Sequence, residues 1–191
     1  MNIRESAARL RRVNWRRHIT DATVLSSVQN VVLAPIETLV LDMTNEVSIK
    51  SRLIGTALTF FGMTYVYVGL RDRSRRLFHI GKGTSELVYG VHDALYTAVY
   101  LGTITPPCYL LSGETDLEKI ALATVGTIVG SLSLGGPVNY LMDVAEELVG
   151  VKEPERSPQW VRDLSLKAKR RVAAAGVAVP TIATIAFYMF K

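Results

Sequence analysis

The sequence predicts an all-α protein: a polytopic bundle of transmembrane helices, built as a tandem parallel repeat of two-helix units with a fifth helix at the C-terminal end. Three observations lead there. Of the 191 residues 49% are apolar and only 20% charged, with a mean hydropathy of +0.23, more apolar surface than a water-soluble domain can cover with polar groups. Five stretches, at about 22–41, 53–70, 87–111, 120–142 and 172–190, approach the ~20 helical residues that cross a ~30 Å hydrocarbon core. The basic residues between these stretches alternate in number from one loop to the next.

Residues 1–20 form a basic segment with Arg4, Arg9, Arg11, Arg12, Arg16 and Arg17. Ile3, Ala7 and Leu10 share one face of its helix, so it should lie on anionic lipid. The first loop holds only Lys50 and Arg52, the second holds Arg71, Arg73, Arg75, Arg76 and Lys82, and the third holds Lys119 alone. Residues 146–171, a basic linker, hold Lys152, Arg156, Arg162, Lys167, Lys169, Arg170 and Arg171, and Lys191 ends the sequence. Eighteen basic residues thus fall on one side and four on the other. Because cytoplasmic loops retain Lys and Arg during insertion, the N-terminus is placed in the cytoplasm of a multi-pass protein of the inner or plasma membrane. Thr115 with Glu118 reads as a capping box before the fourth span. Ser157 with Pro158 opens a short helix before the fifth, where Trp160, Leu164 and Ala168 share a face.

An internal duplication defines the four-helix core at 21–145. Shifting the chain by about 72 places Asp21 and Ala22 on Asp93 and Ala94, and Pro35 on Pro107. At a shift of 71, Ile54, Gly55 and Thr56 fall on Val125, Gly126 and Thr127, and Asp72 on Asp143. The repeats run over about 21–72 and 93–143. Units with an even number of spans have parallel topology, related by a pseudo-two-fold axis along the membrane normal. Asp21, Asp72, Asp93 and Asp143 then all lie at cytoplasmic helix ends. Asp72 and Asp143 sit at unfavourable carboxyl termini and need partners, for which Arg71, Arg75 and Arg76 are nearest.

Ionisable groups at membrane depth are costly unless they face a bundle interior or water. Glu37 lies sixteen residues after Asp21, ~24 Å along the helix, with Gln29 and Asn30 on about the same face. Asp93, beside His92, occupies the inner part of the third span. Pro35, Pro106 and Pro107 interrupt the first and third spans and free backbone carbonyls, as kinks, hinges or ligands for an ammonium group. Gly126, Gly130, Gly135 and Gly136 give the fourth span a small-residue face, for another span or for a second copy of the chain. His18, His79 and His92 are far apart in sequence, and neither a metal-ligand cluster, a nucleophile motif nor a phosphate loop is present, so no cofactor and no enzymatic chemistry are expected. The net charge of +5 is spread between apolar runs rather than over one soluble face, which argues against nucleic acid as a partner.

Asp21, Asn30, Glu37, Met43, Ser51-Arg52-Leu53 and Arg71-Asp72, followed by Asp93, Pro107, Tyr109, Gly136 and Asp143, resemble the bacterial L-alanine exporter family over about residues 20–145. Departures are Pro35, the Pro106–Pro107 pair, the fifth segment and the basic linker. The resemblance implies export of a small neutral amino acid driven by proton entry. On that reading Asp93 and then Glu37 bind the proton or the substrate ammonium, and Arg52 pairs with Glu37 or with the substrate carboxylate. Gln29 and Asn30 supply neutral hydrogen bonds, Asp21 is a further candidate or merely a capping carboxylate, and Arg71, Asp72, Asp143 and the prolines serve gating. The rival expectation is a non-transporting scaffold that recruits lipid or a partner protein.

Overall fold

The computed structural model describes residues 14–81, 83–151 and 158–190. The amphipathic face of Ile3, Ala7 and Leu10, together with Lys82, Lys152, Arg156, Ser157 and Lys191, lies outside them. Among the described residues the secondary structure is helical throughout, without strands.

Helix α1 spans Trp15–Pro35 and runs into a π-helical turn, Ile36–Val40; α2 spans Asn45–Leu58 and joins α3, Thr64–Leu77, through a second π-helical turn, Thr59–Met63. Helix α4 is Glu86–Ser112, α5 is Leu117–Leu148, α6 is the short Gln159–Arg162 and α7 is Leu166–Phe190. The starts are set by side-chain caps. Asn14 accepts from the Arg17 amide, Thr44 from Val47 and Ser85 from Val88, each satisfying an amide that the helix cannot. At α5 the cap is Asp116, which accepts from the amides of Glu118 and Lys119, rather than Thr115. A carboxylate two residues from the first free amides outcompetes the more distant hydroxyl.

Four helical stretches are long and apolar enough to cross a membrane, Trp15–Val40, Asn45–Leu77, Leu117–Leu148 and Leu166–Phe190. Helix α4 matches them in length but not in hydropathy, because Tyr89, Tyr96, Tyr100 and Tyr109, its threonines and two prolines dilute its aliphatic residues. The bundle turns aliphatic and aromatic side chains outward on every long helix, among them Phe61 at 90% exposure, Leu53, Leu95, Val99, Val125, Val129 and Ile182. Helix α7 buries no residue fully and packs against α1 and α5. Such a surface is at home in lipid.

Each helix pair meets differently. Helices α4 and α5 pack most extensively. A Cβ on Gly135 would stand 2.9 Å from the Ala94 Cα, and one on Gly136 would stand 3.0 Å from the Gly90 carbonyl oxygen. These two glycines therefore serve a contact within the chain, whereas Gly126 and Gly130 have no such close neighbour. Gly135→Val should cost about 1–3 kcal/mol by overpacking, and Gly130→Ala, with open space around it in mid-helix, should stabilise by about 0.5–1 kcal/mol; thermal unfolding in detergent measures both.

Pro106 and Pro107 do not interrupt α4, which stays helical through Ser112. The break expected there falls instead in the second span. Gly62 has φ +122°, a conformation that side-chain-bearing residues rarely adopt, and the carbonyls released around it are capped from other helices. His18 Nε2 lies 2.7 Å from the Phe60 oxygen, and the Tyr100 hydroxyl donates to the Met63 oxygen at 2.8 Å. Helix α5 continues past the expected boundary to Leu148, bringing Glu146 and Glu147 into the helix. The expected face of Trp160, Leu164 and Ala168 is split by a turn at Asp163. Val161, fully buried against Val144 and Leu148, anchors the segment while Trp160 is exposed.

Candidate functional site

Two buried ion-pair centres lie at opposite ends of α1, with a cleft between them. The first is built on Glu37. Pro35 and the π-helical turn after it widen the helix, closed by a Leu41 N–H bond to the Ile36 oxygen and a Met43 N–H bond to the Glu37 oxygen. The extra residue in that turn directs Glu37 into the bundle, where it is fully buried. Its Oε1 accepts from Arg52 Nη2 at 2.6 Å, from the Tyr109 hydroxyl and from Ser51 Oγ at 3.2 Å, and its Oε2 accepts from Ser48 Oγ at 2.6 Å. Ser48, Ser51 and Arg52 share a face of α2 by their three- and four-residue spacing, and Tyr109 comes from α4. The Tyr188 hydroxyl of α7 meets Ser48 Oγ at 2.6 Å. Four helices thus converge on one carboxylate.

The second centre joins α1, α3, α4 and α5. Arg71, fully buried, donates from Nη1 to Asn139 Oδ1 at 2.7 Å and lies 3.1 Å from Asp72 and 3.6 Å from Asp143. Arg75 grips Asp93 with Nε at 2.9 Å and with Nη2, and reaches Asp143 at 3.5 Å. His92 Nδ1 is 3.1 Å from Asp93 Oδ1, and its Nε2 is 2.9 Å from Ser74 Oγ. Arg17 Nε bonds Glu146 at 2.7 Å and lies 3.6 Å from Asp21, while its Nη2 bonds Asp72 at 3.1 Å. Asn139 carries the network inward, its amide donating to Thr97 Oγ1 and to the Gly135 oxygen while its Oδ1 accepts from the Tyr67 hydroxyl. Bidentate and charge-assisted bonds of this kind hold geometry as well as charge.

Between the centres a cleft of about 590 Å³ to its open mouth is lined by α1, α2, the turn at Gly62, α4 and α5. Ser51, Arg52 and Tyr109 form its end beside Glu37, and Gln29, Thr59, Thr64 and Thr127 are polar points on a wall otherwise made by residues such as Leu25, Leu33 and Ile104. The hydroxyls of Thr64 and Thr127 are buried and lack an internal hydrogen-bond partner. A second, apolar cleft of about 420 Å³ shares the wall of Leu25, Gln29, Leu33, Leu101 and Thr127.

The expected residues fall into place unequally. Glu37, Arg52 and Gln29 come together at or beside the cleft, while Asn30 is taken by Thr56 Oγ1 at 3.2 Å. Asp21, Asp72, Asp93, Asp143 and Arg71 gather in the second centre. Of the arginines nearest to Asp72 and Asp143 in sequence, Arg71 and Arg75 reach Asp143, whereas Arg76 bonds only the Asp72 backbone oxygen. Arg17, Glu146, Asn139, Tyr67 and Ser48 were not anticipated. Asn139, an amide inside an apolar run, was the one legible signal among them. Among the described residues no group of three or more His, Cys, Asp or Glu is placed to hold a metal ion. No family model, curated protein or solved structure matches the chain.

Proposed function

We propose that the chain is a membrane transporter that exports a small neutral amino acid, L-alanine first, in exchange for protons, from a cytoplasmic membrane in which its N-terminus faces the cytoplasm. The observation that carries this reading is the cleft itself, polar at a few fixed points, ended by the Glu37 centre and lying between it and the Arg71 centre at the other end of the bundle. A zwitterion needs a cation for its carboxylate, and Arg52, at the cleft wall with 14% of its side chain exposed and held from behind by Glu37, offers one. Gln29, Thr64 and Thr127 supply neutral bonds, the last two with hydroxyls that nothing else engages. Breaking the Glu37 centre opens the cleft to the outside and breaking the Arg71 centre opens it to the cytoplasm, which is what alternating access requires.

The tandem repeat belongs to the same proposal. The first unit is α1 with α2 and α3, the second α4 with α5. Neighbour relations support it: α1 packs on α2 and α5, and α4 packs on α5 and α2, as a two-fold exchange of the units demands. Two buried side-chain bonds, Tyr109 to Glu37 and Tyr67 to Asn139, each join residues 72 apart, as pairs near a shared axis would. Helix α7 stands outside the ring.

Purified protein in liposomes loaded with labelled alanine tests the reading under an imposed pH gradient. Expected is saturable release that depends on the gradient. In Gln29→Leu, which touches neither ion-pair centre, the concentration for half-maximal release should rise about tenfold for a lost bond worth about 1.4 kcal/mol. Absence of release for every neutral amino acid would put the scaffold reading ahead, and release without saturation would indicate a channel.

A further inference from the structure

We infer that Asp21 and Glu146 bind one proton between them, and that this pair is the proton-binding site of the chain. The two acids are 1% and 0% exposed, and they share a single cation, since Arg17 Nε faces both Glu146 Oε1 and Asp21 Oδ2. Their second oxygens, Asp21 Oδ1 and Glu146 Oε2, are buried without any hydrogen-bond donor. Both carboxylates meet the same nitrogen, Glu146 at 2.7 Å and Asp21 at 3.6 Å, which sets the two acids side by side. Two buried carboxylates side by side with two oxygens unserved is a costly arrangement. One proton removes the cost: it turns the contact into a bond from an acid to a carboxylate and leaves one negative charge against Arg17.

The surroundings point the same way. Five carboxylates, Asp21, Asp72, Asp93, Asp143 and Glu146, face the guanidinium groups of Arg17, Arg71 and Arg75 in this centre. Arg71 acts on Asp21 from α3, Asp72 competes for Arg17, and His18 is the neighbouring ring on α1. Lys169 of α7 is engaged by Glu147 at 3.6 Å rather than by the pair. At Asp93 and Glu37, by contrast, both oxygens already receive donors from arginine, hydroxyl or imidazole groups, so a proton there would displace an existing bond. Access to water is short, because Arg17 and Asp72 keep 25% and 29% of their side chains exposed. Proton binding at the pair weakens its hold on Arg17 and thereby the contact of α1 with α5; that this proton is the one exchanged for substrate rests on the exporter reading, whereas its presence does not.

Infrared difference spectra of the purified full chain in lipid, titrated with base, test the inference directly. The carbonyl stretch of a protonated carboxyl group should be present at neutral pH, disappear in one step as a carboxylate band grows, and be absent at neutral pH in both Asp21→Asn and Glu146→Gln. Each amide can donate to the remaining carboxylate as the acid does, so both variants should keep the helical circular dichroism of the parent. A parent protein without the band overturns the inference, as does a band that survives in both variants. If a variant does not fold, the parent titration decides: the carbonyl intensity lost should correspond to one carboxyl group per chain. A band without alanine release would leave the proton site standing and sink the exporter; release without the band would do the reverse.

Discussion

Replacing Arg71 with methionine is expected to destabilise the bundle by about 3–5 kcal/mol, the cost of removing one partner from a buried ion-pair network. The guanidinium is fully buried and is the group through which Asp72, Asp143 and Asn139 are connected. Methionine fills much of the same volume, so packing is not the main loss. What remains is Asp143, at 5% side-chain exposure, with one guanidinium fewer and Arg75 at 3.5 Å, and an Asn139 oxygen that loses its charged donor and keeps the Tyr67 hydroxyl. Unfolding in detergent monitored by circular dichroism gives the loss. Adding Asp143→Asn to Arg71→Met should recover part of it, because the second substitution removes a buried charge that has lost one of its cations, and the double-mutant cycle should show a coupling of about 1–3 kcal/mol. A single-variant loss below about 1 kcal/mol would mean that the pair behaves like a solvated surface bridge.

How much of this was legible in the sequence depends on the range of the interaction. Asp21, Asp72, Asp93 and Asp143 fall at one end of the bundle as the alternation of basic loops and the 72-residue offset require, because helix direction alone fixes which end a residue occupies. The identity of the partners is a different matter. Arg17 reads as one more topology-setting arginine, yet it bonds two helices that are 55 and 129 residues away. Glu146 reads as the start of a linker, because the apolar periodicity stops at Met142 while packing against Val161 continues the helix. The prolines mislead in the opposite sense. Pro106 and Pro107 stay within a helix, whereas the break appears at Gly62, where His18 and Tyr100 capture the freed carbonyls. Helix breaks follow from what neighbouring helices can satisfy, which a local motif does not encode. Arg52 pairs with Glu37, because α2 lies beside the π-helical turn, and that proximity of two distant stretches is not written in either of them.

Glu37→Ala should be comparably severe and more local. Removing the carboxylate leaves Arg52, Ser48, Ser51 and Tyr109 without their common acceptor, and an unpaired buried guanidinium draws water inward to solvate itself. The helix ends that converge there then separate, including the α7 contact through Tyr188 and Ser48. The only cysteine of the sequence, Cys108, is buried and lines the cleft next to Tyr109, so its reaction with a water-soluble maleimide reports the opening. An opening equilibrium shifted by at least ~1.4 kcal/mol raises the labelling rate by at least about tenfold. Glu37→Gln keeps the shape and two polar atoms, so its labelling rate should rise less, while the lost charge still deprives Arg52 of its counter-ion and alanine release should fall. Equal labelling in the parent and in Glu37→Ala would show that the carboxylate does not hold this end shut. The contrast between the two variants separates the jobs of the residue: the bonds that close the bundle depend on its oxygens, and the balance of charge at Arg52 depends on its ionisation.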